Sequence, residues 1–431
     1  MPVPMSRSGP FAARNARLFV LFTTLYNARA YYPVLAVMFT DLGLRLEQYV
    51  LLNGVWAAAI FLLEVPSGAL ADTVGRKRLL VFSAALMVVE LGVLLIAPKD
   101  GGALLFALCL LNRFLSGASE AAASGADEAI AYDALPAEGR AAAWDVVLAT
   151  AMRWRAAGFL IAMTLGGLLY DPTWLNKMLP DGLDVPVEVA RRLPVALVFL
   201  QALACLCISM RFEEKRDPAA TNGEPCRTAL RLTFKTAKHA FATRAIAVVL
   251  VGGLLIDCVT RNFATLVSEY YRLIEIPAWA FGLIGSLIAV GNWFIPAIAA
   301  RVNRRLDPVA TLVAGGVFVA LGLWLLVPAW PWAGLLPAML LMMMLGFVSF
   351  TVGRHLHSVA TSEQRATLLS VKGLVFNLAY GLYSFSFSLA LTGFSKSDGR
   401  AFQEALAWQA GAFVLALLVF AAWAWRKPPV R

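Results

Sequence analysis

The residues best suited to chemistry in this sequence are charged side chains inside otherwise apolar stretches. Arg113, Glu120 and Asp127 stand seven positions apart, close to two helical turns per step, so a continuous helix would carry all three along one stripe. A buried carboxylate near an arginine experiences opposing influences on its protonation, and a buried guanidinium favours an anionic partner. The stripe therefore predicts a pathway for a proton and a solute, with a buried structural network as the alternative.

Other apolar stretches carry polar pairs at helical spacing. Asp257 and Arg261 are four residues apart, so we expect them to lie on one helix face and pair with each other. Asn27 and Tyr31 have the same spacing, and on a continuous helix Arg29 would point elsewhere. Each pair suits either helix association or contact with a solute.

Two arginines in the fifth apolar stretch cannot both face one pathway. Arg153 and Arg155 lie about 200° apart around a helix, so one of them is predicted to be structural, and the sequence leaves open which. The predicted substrate or proton pathway comprises Asn27, Tyr31, Arg113, Glu120, Asp127, Arg153, Asp257, Arg261, Asn292 and Asn377.

The elements that must position these residues are membrane-spanning helices. The 431 residues are 60% hydrophobic and 15% charged, and their mean hydropathy is +0.71, more apolar surface than a soluble chain can bury. Twelve stretches are long enough to cross a hydrocarbon core of ~30 Å. They are continuously apolar, and lipid cannot pair an open strand edge, so we predict an all-α membrane protein. The predicted spans are 18–40, 49–71, 78–97, 102–131, 142–169, 193–211, 245–270, 278–301, 308–328, 332–353, 366–391 and 403–425.

The basic residues predict the orientation of these spans. With the N-terminus inside, 23 of the 37 Lys and Arg residues fall on the cytoplasmic side and 8 on the far side, so both termini are predicted to be cytoplasmic. The expected location is the inner membrane of a bacterium. The net charge of +10 resides mostly in short loops beside spans, where topology explains it better than nucleic-acid binding does.

Several other functions have no support in the sequence. The five cysteines and three histidines form no disulfide framework or metal-ligand cluster. There is no phosphate-binding loop or nucleophile motif, so we expect neither an enzyme nor ATP-driven pumping, and no cofactor.

An internal repeat divides the chain into two halves. Residues 71–77 and 299–305 match weakly at an offset of 228, and a second pair of loops matches at 225, as expected for two parallel repeats of six helices. The predicted halves are 1–210 and 244–431. The segment between them, 211–243, is predicted to be a cytoplasmic linker, either solvated or forming a basic helix on the inner leaflet.

The loop after the second span is the most informative motif. Residues 64–78 read EVPSGALADTVGRKR, and this stretch resembles the G-x-L-A-D-x-x-G-R-R/K signature of the major facilitator superfamily. Physically, Gly68 permits close helix approach, and Gly75 supplies a turn with positive φ. Asp72 can accept hydrogen bonds from a helix N-terminus or an arginine. The resemblance implies a gating latch formed by Glu64, Gly68, Asp72, Gly75, Arg76 and Lys77.

The second half departs from this signature. Ala300 replaces the aspartate and Asn303 the second glycine. Since Asn tolerates a left-handed conformation, we expect the turn to survive there without its charge. In the fifth span, only Gly166 and Gly167 remain of a glycine-rich phrase typical of exporters in the superfamily, which weakens the case for an antiporter.

The resemblance implies two six-helix halves related by pseudo-two-fold symmetry and transport by alternating access. We expect a monomeric secondary transporter, a symporter or an antiporter, for a small organic solute that is anionic or zwitterionic, with a proton as the coupling ion. An uncoupled facilitator or lipid translocator of the same fold remains an alternative, and a non-transporting membrane sensor is an alternative from another class. The partners expected are thus a small molecule, a proton and the lipid bilayer.

The charge distribution generates a topological prediction. A fluorescent protein fused after Arg431 should fold and fluoresce in the cytoplasm, and alkaline phosphatase at the same position should be inactive, because basic loops are retained on the inner side. Fusions after Lys99 serve as the control, since that loop is predicted to face outward. Active phosphatase after Arg431 would contradict the even number of spans.

Overall fold

The computed structural model describes residues 9–180, 182, 184–214, 226–359, 365–394 and 400–426. In this part of the chain there are α-helices, short 3₁₀ turns and loops, but no strand. The helices are α1 (Arg14–Asn27), α2 (Leu35–Asp41), α3 (Leu46–Val74), α4 (Arg76–Ile96), α5 (Ala103–Ala123), α6 (Ala126–Asp133), α7 (Arg140–Tyr170), α8 (Pro172–Met178), α9 (Val187–Ala190), α10 (Leu193–Met210), α11 (Cys226–Ala242), α12 (Arg244–Leu273), α13 (Ala278–Asn292), α14 (Ile295–Arg305), α15 (Pro308–Leu326), α16 (Leu335–Val359), α17 (Arg365–Phe394) and α18 (Ala401–Trp425).

The all-α membrane fold predicted from the sequence is confirmed. Among the described residues, ten helical spans are long and apolar enough to cross a membrane, and α13 with α14 forms an eleventh that bends by 43°. The spans follow the predicted stretches from the second onward. The bend falls between Asn292 and Ile295, directly before Pro296, whose ring cannot continue the ladder of hydrogen bonds.

The first predicted span, 18–40, is interrupted rather than continuous. Helix α1 ends at Asn27, and a 3₁₀ turn (Tyr32–Val34) connects it to α2. Arg29 lies in the break, buried, with its Nη1 donating to Glu90 Oε1 at 2.9 Å and its Nε donating to the carbonyl of Tyr26 at 3.0 Å. The interruption thus places a guanidinium among buried acceptors that stabilise its charge.

The chain divides into two compact units. The first comprises Met1–Val34, Leu62–Leu230 and Ala278–Ser286, and the second comprises Leu35–Phe61, Arg231–Pro277 and Leu287–Arg431. Each unit therefore contains a segment from the other half of the sequence. The division into 1–210, the linker 211–243 and 244–431 stays a prediction based on the repeat.

In the first unit, close backbone contacts at Gly166 and Gly282 explain why Ala278–Ser286 belongs to it. A Cβ at Gly166 would lie 1.7 Å from the carbonyl oxygen of Ala30, and a Cβ at Gly282 would lie 2.0 Å from that of Met163. Only glycine permits α7 to approach the break after α1 and the start of α13 so closely. Ser286 Oγ also donates to the carbonyl of Leu160 at 3.2 Å.

In the second unit, hydrogen bonds hold the first half of α3 on α12 and α17. Tyr49 Oη donates to the carbonyl of Thr265 at 2.7 Å, and Ser388 Oγ donates to that of Glu47 at 2.8 Å. Both accepting carbonyls belong to helices, and such additional bonds between spans stabilise helix association in lipid.

The buried ion pair at the break predicts a large loss of stability when one partner is removed. Glu90→Ala leaves the guanidinium of Arg29 buried without its carboxylate, a change that costs about 3–5 kcal/mol. We expect a clearly lower melting temperature of the purified protein, with part of the loss recovered in the double variant Arg29→Met, Glu90→Met.

The matched control is Glu188→Ala, which removes the exposed partner of Lys99 at 3.5 Å. This variant should melt as the native protein does, because exposed pairs contribute little. Equal melting temperatures for Glu90→Ala and Glu188→Ala would show that the break in the first span does not depend on the ion pair.

Candidate functional site

A cluster of buried polar groups surrounds the break after α1. Tyr31 is buried, and its Oη accepts from Arg29 Nη1 at 3.2 Å. Asn112 Nδ2 donates to the carbonyl of Glu90 at 2.8 Å, and Asn112 Oδ1 accepts from Arg113 Nε at 2.9 Å. Arg113 and Tyr31 also interact electrostatically. Two of the predicted pathway residues therefore belong to one network with the Arg29–Glu90 pair.

The expectation that Arg29 points away from Tyr31 is wrong. It assumed a continuous helix over Asn27 and Tyr31, and the helix ends at Asn27. The amide Nδ2 of Asn27 donates to the carbonyl of Thr23 at 2.7 Å, so it bonds within its own helix. Sequence spacing cannot reveal this arrangement, because the partner of Arg29 at the break, Glu90, lies 61 positions away.

The stripe of Arg113, Glu120 and Asp127 is also interrupted. Ser124 ends α5 with ψ 113°, and Gly125, with φ +75°, precedes α6. Asp127 therefore lies in the first turn of a second helix, where its Oδ1 accepts from the amide of Glu128 at 2.9 Å. The regular seven-residue spacing does not describe one helix face here.

The remaining candidates of the first unit differ in exposure. Arg113 is buried, whereas Glu120 and Arg153 are exposed. Glu120 interacts electrostatically with Glu64, a half-buried residue of α3. Arg155 is half-buried and interacts in the same way with Asp127. Glu64, which belongs to the predicted latch, thus also interacts with the carboxylate of Glu120 on α5.

A second polar cluster lies in the other unit, between α12 and α17. Arg261 and Asp257 form the predicted ion pair, with Arg261 Nη2 at 2.8 Å from Asp257 Oδ2 and 3.0 Å from Oδ1. Arg261 Nη1 donates to Asn377 Oδ1 at 3.0 Å, and the guanidinium lies 5.3 Å from the centroid of the Tyr380 ring. Lys372 interacts electrostatically with Asp257 and Arg261. Three predicted pathway residues, Asp257, Arg261 and Asn377, are thus brought into direct contact.

Asn292 is separate from this cluster in its local environment. It is the last residue of α13, directly before the bend, and a Cβ on Gly346 would lie 2.9 Å from its Oδ1. That oxygen is buried and has no hydrogen-bond partner among the described residues. Asn292 therefore lies at the bend between α13 and α14.

The turn of the predicted latch has the expected geometry. Gly75 has φ +105° between α3 and α4, a conformation that favours glycine. Arg76 Nη1 forms an ion pair with Asp133 Oδ2. The carboxylate of Glu214 accepts from the amides of Arg76 at 2.8 Å and Lys77 at 3.2 Å, so it caps the positive end of α4.

Gly68 differs from its expected packing role, and the role of Asp72 is not tested. No atom lies within 4 Å of a Cβ built at Gly68, so this glycine does not mediate close helix approach. The side chain of Asp72 lies outside the described part of the chain. The acceptor role predicted for Asp72 therefore stays a prediction. Glu214 and Asp133 are additional acceptors at this turn, and they belong to distant segments that the motif does not include.

The corresponding loop of the second half contradicts the expected turn at Asn303. This residue is helical within α14 and buried. Its Nδ2 donates to Ala299 O at 2.7 Å and Thr351 Oγ1 at 3.1 Å, and its Oδ1 lies 3.0 Å from His355 Nε2. An amide with three such partners stabilises the helix, so the chain turns later, before α15.

A polar network that the sequence did not indicate joins α2 to α12. Ser268 Oγ accepts from the amides of Ala36 at 3.1 Å and Val37 at 3.2 Å, at the start of α2. Arg272 Nη2 lies 2.9 Å from Asp41 Oδ1, where α2 ends. We call Ser268, Arg272 and Asp41 the α2–α12 contact. Its residues lie at the end of α2 and in the last two turns of α12, at the ends of the first and seventh predicted spans.

These arrangements are suited to binding and conformational change. Buried arginines bear defined partners, and carboxylates lie near both basic and acidic groups. Among the described residues, no group of three or more His, Cys, Asp or Glu side chains is arranged to hold a metal ion. The interactions that these residues make are charge pairing and hydrogen bonding.

Solved structures of several membrane transporters have the same fold. The nucleoside transporter NupG matches with a TM-score of 0.70 at 14% identity, over 96% of this chain and 99% of that chain. A bacterial homolog of the human lysosomal transporter Spinster gives 0.68 at 16%, over 97% and 96%. A D-xylose-proton symporter gives 0.62 at 17%, over 95% and 96%.

No curated sequence is similar enough to this chain to count as a relative. The family model of the Major Facilitator Superfamily matches residues 17–384. That range contains the Gly75 turn and both buried polar clusters, and it covers most of the chain. The chain therefore belongs to the Major Facilitator Superfamily, and it is a multi-pass membrane protein of transporter fold rather than an enzyme.

Proposed function

We propose that this protein is a secondary active transporter that moves a small organic solute by alternating access and is driven by a proton gradient. The observation that carries the proposal is the α2–α12 contact. It joins the ends of the first and seventh spans through side-chain hydrogen bonds and one ion pair. The Arg272–Asp41 pair is partly accessible to solvent. Such pairs are individually weak, so this one can break and re-form during a transport cycle.

The proposed latch follows the second span, in a loop predicted to be cytoplasmic. Arg76 pairs with Asp133, and Glu214 caps α4. Both interactions are accessible to solvent, since the side chains of Arg76 and Asp133 are 31% and 56% exposed. A carrier needs two end states of similar free energy, and interactions of this modest strength permit such a balance. The predicted roles of Gly75, Arg76 and Lys77 are consistent with this arrangement.

Proton coupling is proposed for the carboxylates of α5 and α6. Glu120 is exposed and interacts electrostatically with Glu64, so a proton on either group changes the charge that the other experiences. Asp127 stands at the start of α6, near Arg155. Arg113, which is permanently charged, is proposed to stabilise the charge of the solute instead.

The function itself is tested with purified protein in proteoliposomes whose lumen is alkaline. The vesicles are exposed to a defined mixture of metabolites, and the accumulated solutes are identified by mass spectrometry. A protonophore should abolish the accumulation. Solute entry that never exceeds equilibrium would identify an uncoupled facilitator, movement of labelled phospholipid would identify a lipid translocator, and the absence of any flux would favour a sensor.

The cap on α4 gives a prediction for the latch. Glu214→Ala should accelerate amide hydrogen exchange in the first turn of α4 by about fivefold, since loss of a helix cap typically costs ~1 kcal/mol. Hydrogen exchange measured by mass spectrometry tests this. Glu138→Ala, an exposed carboxylate after α6, is the control and should change nothing. Unchanged exchange in Glu214→Ala would exclude Glu214 as the group that holds the latch turn.

The α5 and α6 carboxylates give a prediction for coupling. Glu120→Gln or Asp127→Asn, at one position or the other, should abolish accumulation driven by the proton gradient while solute exchange at equal pH continues, because a carboxamide cannot carry a proton. Arg113→Ala should weaken solute binding at every pH. Both transport modes are measured in the same vesicles.

The control for coupling is Asp145→Asn, an exposed carboxylate of α7 that should retain full accumulation. If Glu120→Gln and Asp127→Asn both retain it as well, the charges of α5 and α6 form a structural network. The coupling site would then have to be sought at Asp257.

A further inference from the structure

We infer that the cluster between α12 and α17 is a binding site for the carboxylate of a small organic monoanion, with Lys372 as the cation that receives it. This inference rests on the proposed function, because it names the solute class of the same carrier. The sequence alone favoured an anionic or zwitterionic solute from the arginines of the fourth and fifth spans. The structure favours Lys372 on the eleventh span over Arg113 as the cation that receives the carboxylate.

The guanidinium of Arg261 is already occupied by protein acceptors. Its Nη2 faces both carboxylate oxygens of Asp257, its Nη1 donates to Asn377, and its face lies over the Tyr380 ring. Tyr380 is fully buried and packs against Ala57 and Cys258, so it fixes the plane of the guanidinium. Arg261 is thus positioned as a structural cation.

Lys372 has a different environment. Its ammonium lies 5.6 Å from the centroid of the Phe376 ring, and the charged groups that interact electrostatically with it are Asp257 and Arg261. Within the described residues, Lys372 is in no ion pair. Its three donors therefore remain available for an oxyanion.

The charges of the cluster do not balance. Asp257 contributes one negative charge, and Arg261 and Lys372 contribute one positive charge each, which leaves an excess of one positive charge inside the span region. A charge at the centre of a span costs about 2.5–3.5 kcal/mol on insertion scales, so such an excess is retained where it serves binding. By contrast, Arg29 pairs directly with Glu90 in the first unit, which is the arrangement expected of a structural pair.

The position of the ammonium argues against a lysine that merely reaches for the membrane surface. A snorkelling lysine extends along its helix toward the nearer interface. Lys372 lies near the start of α17, and its ammonium contacts the ring of Phe376, one turn further into the span. It also interacts with Asp257, near the middle of α12. The ammonium is therefore directed toward the cluster.

The excess of a single charge selects the ligand. A carboxylate brings the cluster to neutrality, whereas a doubly charged phosphate would leave a net negative charge in a region of low dielectric constant. A neutral amide of the same shape would leave the positive excess uncompensated. Asn377 accepts from Arg261 through Oδ1, so its Nδ2 group points to other partners and can donate to the second carboxylate oxygen.

The test compares carboxylates with their own amides on the purified full-length chain. The probes are benzoate and benzamide, nicotinate and nicotinamide, and lactate and lactamide, in chloride-free buffer, with inorganic phosphate as the doubly charged probe. Binding is measured as the increase in unfolding temperature during titration. We expect at least one carboxylate to stabilise the native protein more than its amide and more than phosphate.

Two variants reduce the net charge of the cluster to zero by different routes. Lys372→Gln removes the cation, and Asn377→Asp adds a carboxylate while keeping the acceptor for Arg261. Each should weaken carboxylate binding at least about tenfold, the loss expected for one charge-assisted hydrogen bond. Lys177→Gln, an exposed lysine of α8, is the matched control and should bind as the native protein does.

Each outcome decides the inference. No preference for any carboxylate over its amide overturns it, and so does a preference that survives in both Lys372→Gln and Asn377→Asp. A stronger effect of phosphate overturns the assignment to a monoanion. Carboxylate binding that depends on Lys372 but occurs without flux in proteoliposomes would disprove the proposed transport function and support the binding site. Flux of other solutes without any preference for carboxylates would support transport and disprove the binding site.

Discussion

The cost of placing charge inside a membrane is the constraint on which most of this structure depends. Arg29 lies where the helix of the first span is interrupted, and its guanidinium is buried against Glu90. Asp257 and Arg261 satisfy the same requirement one turn apart on an unbroken helix. The two solutions differ because one partner is local and the other is supplied by a neighbouring span.

Close backbone approach is the second organising feature. Gly166 and Gly282 allow α7, α13 and the break after α1 to pack with their main chains in contact. Such contacts rely on shape rather than on charge, and in lipid they replace the hydrophobic driving force that operates in water. These glycine contacts also explain why the first compact unit includes the segment Ala278–Ser286 from the second half of the sequence.

Polar contacts at the ends of the spans differ in kind from the charges within them. Arg272 with Asp41, and Arg76 with Asp133, are at least partly accessible to solvent, whereas the side chains of Arg29 and Glu90 are 6% and 0% exposed. Pairs in contact with water contribute little net stability and exchange readily, while a buried pair is costly to break. The buried pair therefore stabilises the interior of the protein, whereas the accessible pairs at the ends of the spans cost little to break.

The sequence by itself determined the membrane class, the approximate limits of every span after the first, the positive-φ turn at Gly75 and the Asp257–Arg261 pair. These features depend on local composition or on residues within one or two helical turns, so a linear pattern contains them. The family signature was also readable, because it lies in one continuous loop.

Only the tertiary structure decided where the patterns fail. At the break Arg29 bonds to Glu90, Glu214 caps α4, and the helical residue Asn303 bonds to Thr351 and His355. Each partner is distant in sequence, and helical periodicity assumes that no such partner intervenes. The same limit applies to Lys372, whose unbalanced charge becomes apparent only when α17 is placed beside α12. Local spacing fixes which residues share a face, but the partner on the next helix decides whether that face is continuous, buried or charged.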